Sequence, residues 1–169
     1  VRADELRALQ APLKERYRAE PERAVVTLRA AGQLDESGLA CRVETGQALV
    51  EAGLHPATGG TGLQACSGDL LLQALVACAG VTLRAVATAL GLEVRGGRVT
   101  AEGELDFRGT LGVSKEAPVG FRAIRLRFDV ETGASAEELA TLLKLTERYC
   151  VVLQTLRTPP AFEAELRAV

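Results

Sequence analysis

Between Ser67 and Leu90 the chain has almost no polar face to offer water. Leu70, Leu71, Leu72, Leu75, Val76, Ala77, Cys78, Ala79 and Val81 crowd a stretch in which Gln73 is the one clearly polar interruption before Thr82. Ser67 can cap a helix here, Asp69 suits the positive end of its dipole, and Gly91 is a natural stop. The unbroken apolar part is too short to span a bilayer. A helix apolar on every side must be buried on every side. One domain of 169 residues has difficulty wrapping a helix completely, so a second copy of the chain is expected to help cover it.

The rest of the chain divides around this helix. Ala3 to Arg18 reads as an amphipathic helix, with Leu6, Leu9, Leu13 and Tyr17 on one face and Pro12 expected to kink or split it. Three strands are expected next, over Arg23–Ala31, Leu39–Glu44 and Gln47–Glu51. Gly53 to Gly68 is a glycine-rich connection that carries His55, the only histidine.

After the apolar helix a second strand block is expected: Leu92–Val94, a turn at Gly96–Gly97, Arg98–Arg108, and Phe121–Glu131. In the last of these, Ile124, Leu126, Phe128 and Val130 alternate with Arg125, Arg127, Asp129 and Glu131, the pattern of a half-exposed antiparallel strand. Ser135 and Glu138 form a capping box that opens a helix predicted to run to Thr158, with Leu139, Leu142, Leu143, Thr146, Cys150 and Leu153 on one stripe. Pro159–Pro160 ends it, and Phe162–Leu166 could form a last strand. Helices segregated from two β-meanders predict an α+β fold, not a parallel βαβ fold. The expected division is an N-terminal helix over 1–20 and one domain over 21–169.

Charge narrows the function. A net charge of −2 and the absence of a basic segment interleaved with aromatics argue against nucleic acid and acidic membrane surfaces as partners. Nothing near the start has the apolar core of a secretory signal, so a soluble, cytoplasmic protein is expected. The four cysteines, Cys41, Cys66, Cys78 and Cys150, contain no CxxC pair, which speaks against a zinc knuckle or a thioredoxin-type motif. No cofactor or metal is expected. A site built from His55 and cysteines would lack the short ligand spacing of metal sites. Gly59, Gly60 and Gly62 lack the strand and lysine of a phosphate-cradling loop.

Taken in order, Gly59–Gly60, the run Asp69 to Cys78, Gly91–Leu92, Pro118-Val-Gly-Phe121 and Glu147-Arg-Tyr-Cys150 resemble the OsmC/Ohr family of osmotically inducible and organic-hydroperoxide-resistance proteins. The resemblance spans roughly residues 23 to 168. It implies two antiparallel β-meanders around two core helices in an intertwined homodimer with sites at the subunit seam. It also implies a thiol peroxidase that takes organic hydroperoxides and is recycled by a dithiol reductant. Carried over, Cys78 would be the peroxidatic thiol and Cys150 the resolving one. Members of the hydroperoxide-resistance branch pair an Arg with a Glu ten residues before the first cysteine. This chain has Gly68 there, with Asp69 next to it, and Arg29 or Arg42 for the cation; Asp69 and Arg29 are the matching candidates.

Three alternatives stay open at this level. Cys78 and Cys150 could be small core hydrophobes in a non-catalytic dimer that binds a small hydrophobic ligand. Cys66, just before a helix N-terminus, could pair with Cys78 in place of Cys150, or serve with His55 in a sensor. His55 and Pro56 could shape a loop over the site. Cys41 reads as packing.

Overall fold

The computed structural model describes residues 3–34, 41–43, 52–63 and 65–168. Helix α1 (Ala3–Ala19) runs unbroken through Pro12, so the expected split does not occur. A 3₁₀ turn at Pro21–Ala24 leads into strand β1 (Val25–Leu34), followed by β2 (Cys41–Val43). Short strands β3 (Ala52–Gly53) and β4 (Ala65–Cys66) pair in parallel around a second 3₁₀ turn at Pro56–Thr58. The strand expected over Gln47–Glu51, and Leu39, Ala40 and Glu44 of the second, lie outside the described residues.

Helix α2 (Ser67–Leu90) has the predicted limits and ends on Gly91 in the left-handed region, φ +70°. Strand β5 (Val94–Asp106) follows, then the short helix α3 (Phe107–Thr110) and strand β6 (Phe121–Thr132). The two expected meanders are in fact one antiparallel sheet in the order β2-β1-β5-β6, because β1 pairs along its length with β5. The turn expected at Gly96–Gly97 is an irregularity inside β5, where the register shifts between Val94 and Gly96. Gly97, at φ +153°, passes so close to the Asp129 carbonyl that a Cβ would lie 2.3 Å from it. Glycine here serves close strand approach, not a reversal.

Helix α4 (Ala136–Tyr149) starts on the predicted capping box. Ser135 Oγ accepts the Glu138 N–H, and the Glu138 carboxylate accepts the Ser135 N–H at 2.7 Å. It does not reach Thr158. The backbone turns extended at Cys150 (φ −72°, ψ 105°) and a separate helix α5 (Val151–Arg157) begins. Beyond it Phe162 and Leu166 are 83% and 98% exposed without regular structure, so the last expected strand is absent.

The core lies between the sheet and α2. Leu72, Leu75, Val76, Ala79, Leu83 and Ala87 are buried against β1 and β5, with Val99, Ala101 and Leu105 opposite. By length and composition α2 could cross a membrane; here it packs on the sheet. On its other side Leu71, Ala74, Val81 and Ala85 are exposed, with half-buried Cys78 on the same stripe. Helix α1 is tied down by Tyr17, which is buried and donates its hydroxyl to the Ala57 carbonyl at 2.7 Å.

Candidate active site: a thiol pair at a helix break

Cys78 lies midway along α2, at the edge of its buried face. The break between α4 and α5 brings Cys150 to it from the other side, fully buried. The two side chains are in hydrogen-bonding reach of each other, and both are free thiols.

Helix termini explain why a break is useful here. In α5 the first intrahelical bond is the Gln154 N–H to the Cys150 carbonyl, 2.9 Å, while Cys150 itself still donates to Thr146 O at 2.9 Å. The amides of Val151, Val152 and Leu153 therefore have no carbonyl one turn back. Val152 and Val151 turn theirs toward the Cys78 sulfur. Burial alone would raise the Cys78 pKa. The Val152 N–H, the Cys150 thiol, the Thr82 hydroxyl and the Val151 N–H outweigh that and hold it below its ordinary value. Cys150 goes the other way. Its burial, the larger cause, and its bond to the Cys78 thiolate push it up to about 11 despite the Leu153 and Val152 amides. The two sulfurs are shifted in opposite directions, Cys78 toward the thiolate and Cys150 toward the thiol.

Neither Thr82 nor the helix break stands out in the sequence. Thr82 sits one turn after Cys78, a spacing that could have drawn attention. No glycine or proline marks the break.

The other sequence candidates are elsewhere in the chain. Asp69 lies in the first turn of α2, nine residues from Cys78 and so about 13 Å away along the helix axis. It is not beside the thiol, and its carboxyl pKa is raised by burial. The Arg29 side chain lies outside the described residues, as do those of Arg42 and Cys41; the Arg29 backbone pairs with Glu102 of β5. Cys66 precedes the first residue of α2, twelve residues from Cys78, or about 18 Å of helix. Within one chain it cannot replace Cys150. His55 and Pro56 build the 3₁₀ turn over the start of α2 and not over the thiols. There the His55 Nδ1 accepts the Ala57 N–H at 3.0 Å and the ring stacks on Phe107 at 4.9 Å. Among the described residues no three His, Cys, Asp or Glu side chains converge as metal ligands would.

A groove of about 410 Å³ with a mixed apolar and charged lining includes Leu75 and Leu153, each three residues from a thiol. Ile124, Leu126 and Phe128 of β6 form its floor, and an ion pair at one side joins Arg157 to Glu147 at 3.0 Å.

The likeness to known proteins agrees with this architecture. An OsmC-like hydroperoxide resistance protein from Jannaschia sp. CCS1 has a crystal structure that superposes with a TM-score of 0.59 at 20% identity. The match covers 86% of this chain and 95% of that one, and shows a shared fold. No curated protein matches the sequence. Residues 60–165, which include α2, both thiols and the helix break, match the family of OsmC-like proteins, and the chain belongs to that family.

Proposed function

We propose that the chain is a thiol-dependent peroxidase that reduces organic hydroperoxides through Cys78 and Cys150. The observation that carries this reading is the contact between an acidified, half-buried thiol and a buried, weakly acidic one. A structural pair of cysteines has no need of opposite acidities, whereas a nucleophile and its resolver do. The name of the Jannaschia protein is in keeping with it.

In the first step the Cys78 thiolate attacks one oxygen of ROOH. The S–O bond forms as the O–O bond breaks, and the alkoxide leaves and takes a proton as ROH. Cys78 is then a sulfenic acid. In the second step Cys150 attacks that sulfur. The S–S bond forms, the S–O bond breaks, and hydroxide leaves with the Cys150 proton as water. A dithiol reductant then exchanges with the disulfide and restores both thiols. The groove at Leu75 and Leu153 would take the organic group R. The bare stripe Leu71, Ala74, Val81, Ala85 is where a second copy of the chain would complete a homodimer. Asp69 and Arg29 keep a role in this proposal only if that second copy brings them to the thiols.

The test is a reaction of the reduced protein with one equivalent of cumene hydroperoxide. Two thiols per chain should disappear, a peptide map should link Cys78 to Cys150, and Cys78→Ser should consume no peroxide. Retention of all thiols under excess hydroperoxide would overturn the proposal. That result, with saturable uptake of an apolar dye displaced by fatty acids, would favour a second reading carried by the groove: a non-catalytic dimer that holds a small hydrophobic ligand.

A further inference from the structure

Thr146 is the only buried side-chain polar group among the described residues that has no hydrogen-bond partner. It is 1% exposed. Its hydroxyl has an ordinary escape that it does not take. A helical threonine can donate to the carbonyl one turn back, and Thr88 does so in α2, to Arg84 O at 2.9 Å. A hydroxyl left bare in a core carries a standing penalty, and such groups call for an explanation.

Its position supplies one. Helices α2 and α4 run antiparallel and in step. Leu90 of α2 and Glu138 of α4 line one small cavity, and twelve residues back along α2 and forward along the other chain segment come Cys78 and Cys150. The same step sets Thr82 opposite Thr146, each one turn from its cysteine. Thr82 spends its hydroxyl on the Cys78 sulfur. Thr146 sits at the level of Thr82, one turn along from Cys78, and in the reduced protein its hydroxyl makes no bond to the sulfur. An oxygen added to that sulfur would shorten the distance left for the Thr146 hydroxyl to bridge.

We infer that Thr146 is a positioning residue for the oxidised site, whose hydroxyl donates to the oxygen that Cys78 acquires as a sulfenic acid. This rests on the peroxidase reading. The reduced protein carries the unpaired hydroxyl, and the sulfenic form satisfies it. The oxygen is thereby held while the sulfur stays open to Cys150.

The experiment uses a Cys150→Ala parent, in which the sulfenic acid has no resolver, and compares it with the same protein carrying Thr146→Val or Thr146→Ser. Each protein is oxidised with one equivalent of cumene hydroperoxide. Uptake of one oxygen is confirmed by mass and by dimedone trapping, and Tm is read before and after. Oxidation should hold or raise Tm in the parent and in Thr146→Ser, which both keep a hydroxyl at this position. In Thr146→Val it should lower Tm by roughly 3–8 °C, because the new oxygen is buried without a donor. The valine variant should be at least as stable as the parent when reduced. Equal shifts in all three proteins overturn the inference and leave the peroxidase reading intact. Failure of the parent to take up oxygen overturns that reading, and this inference with it.

Discussion

Cys78 accepts hydrogen bonds from the start of α5 while Cys150, in contact with it, forms the cap of that same helix, so one backbone break sets the acidity of both thiols. The lower pKa belongs to the half-buried sulfur. The higher one, about 11, belongs to the sulfur that is fully buried. The division of labour in the proposed reaction follows from that asymmetry.

Thr82→Val removes a donor to the Cys78 thiolate without changing the side chain's shape. The pH midpoint of Cys78 alkylation by iodoacetamide should move upward, and Thr82→Ser should restore it. An unmoved midpoint in the valine variant would mean that the amides of Val151 and Val152 suffice alone.

Asp106 is buried at the end of β5, where its carboxylate takes the Arg108 guanidinium at 2.6 Å and the Arg108 N–H at 3.1 Å. The Arg108 side chain, the largest cause, holds its pKa below the usual carboxylate value. A depressed folded-state pKa gives stability that is fully present above the unfolded value, about 3.9, and is lost as pH falls through the folded one. Asp106→Asn should therefore cost about 1–3 kcal/mol at pH 7. The difference from the parent should shrink below about pH 4 in urea titrations. A gap independent of pH would contradict this account.

Gly109 faces backbone, not side chains. A Cβ there would lie 2.4 Å from Pro118 O and 2.7 Å from Ala117 O, just before β6 begins. Gly109→Ala should lower stability by roughly 1–3 kcal/mol, read as a lower urea midpoint. Gly112→Ala, where nothing lies within 4 Å but φ is +65°, should cost about 1 kcal/mol through backbone strain alone.

The parts of this fold that can be read from sequence are those governed by local pattern. The all-round apolar run sets the limits of α2, the Ser135–Glu138 box sets the start of α4, and alternation marks β6. What escapes is set by tertiary contact. Gly96–Gly97 looks like a turn until β6 is known to run alongside, and β1 finds its partner in β5, some seventy residues on. The identity of the two thiols is legible, through family resemblance, but the reason they differ is not. Val151 and Val152 carry no helix-breaking signal, and the segment after the interruption at Cys150 packs on α2. Asp69 is the opposite case: its place in the motif is legible, but within one chain it lies nine residues along α2 from Cys78.

Helix α5 has seven residues, fewer than a lone helix needs to persist in water. Its first amides are tied to the Cys78 sulfur, so that sulfur acts as a clasp on the whole segment. Once Cys78 is alkylated, amide exchange should accelerate from Val151 to Arg157 and stay slow in α4, which is anchored at its own far end by Ser135. A chemical event on one atom would then be announced by the loosening of the chain's last ordered turn and of the exposed tail that follows it.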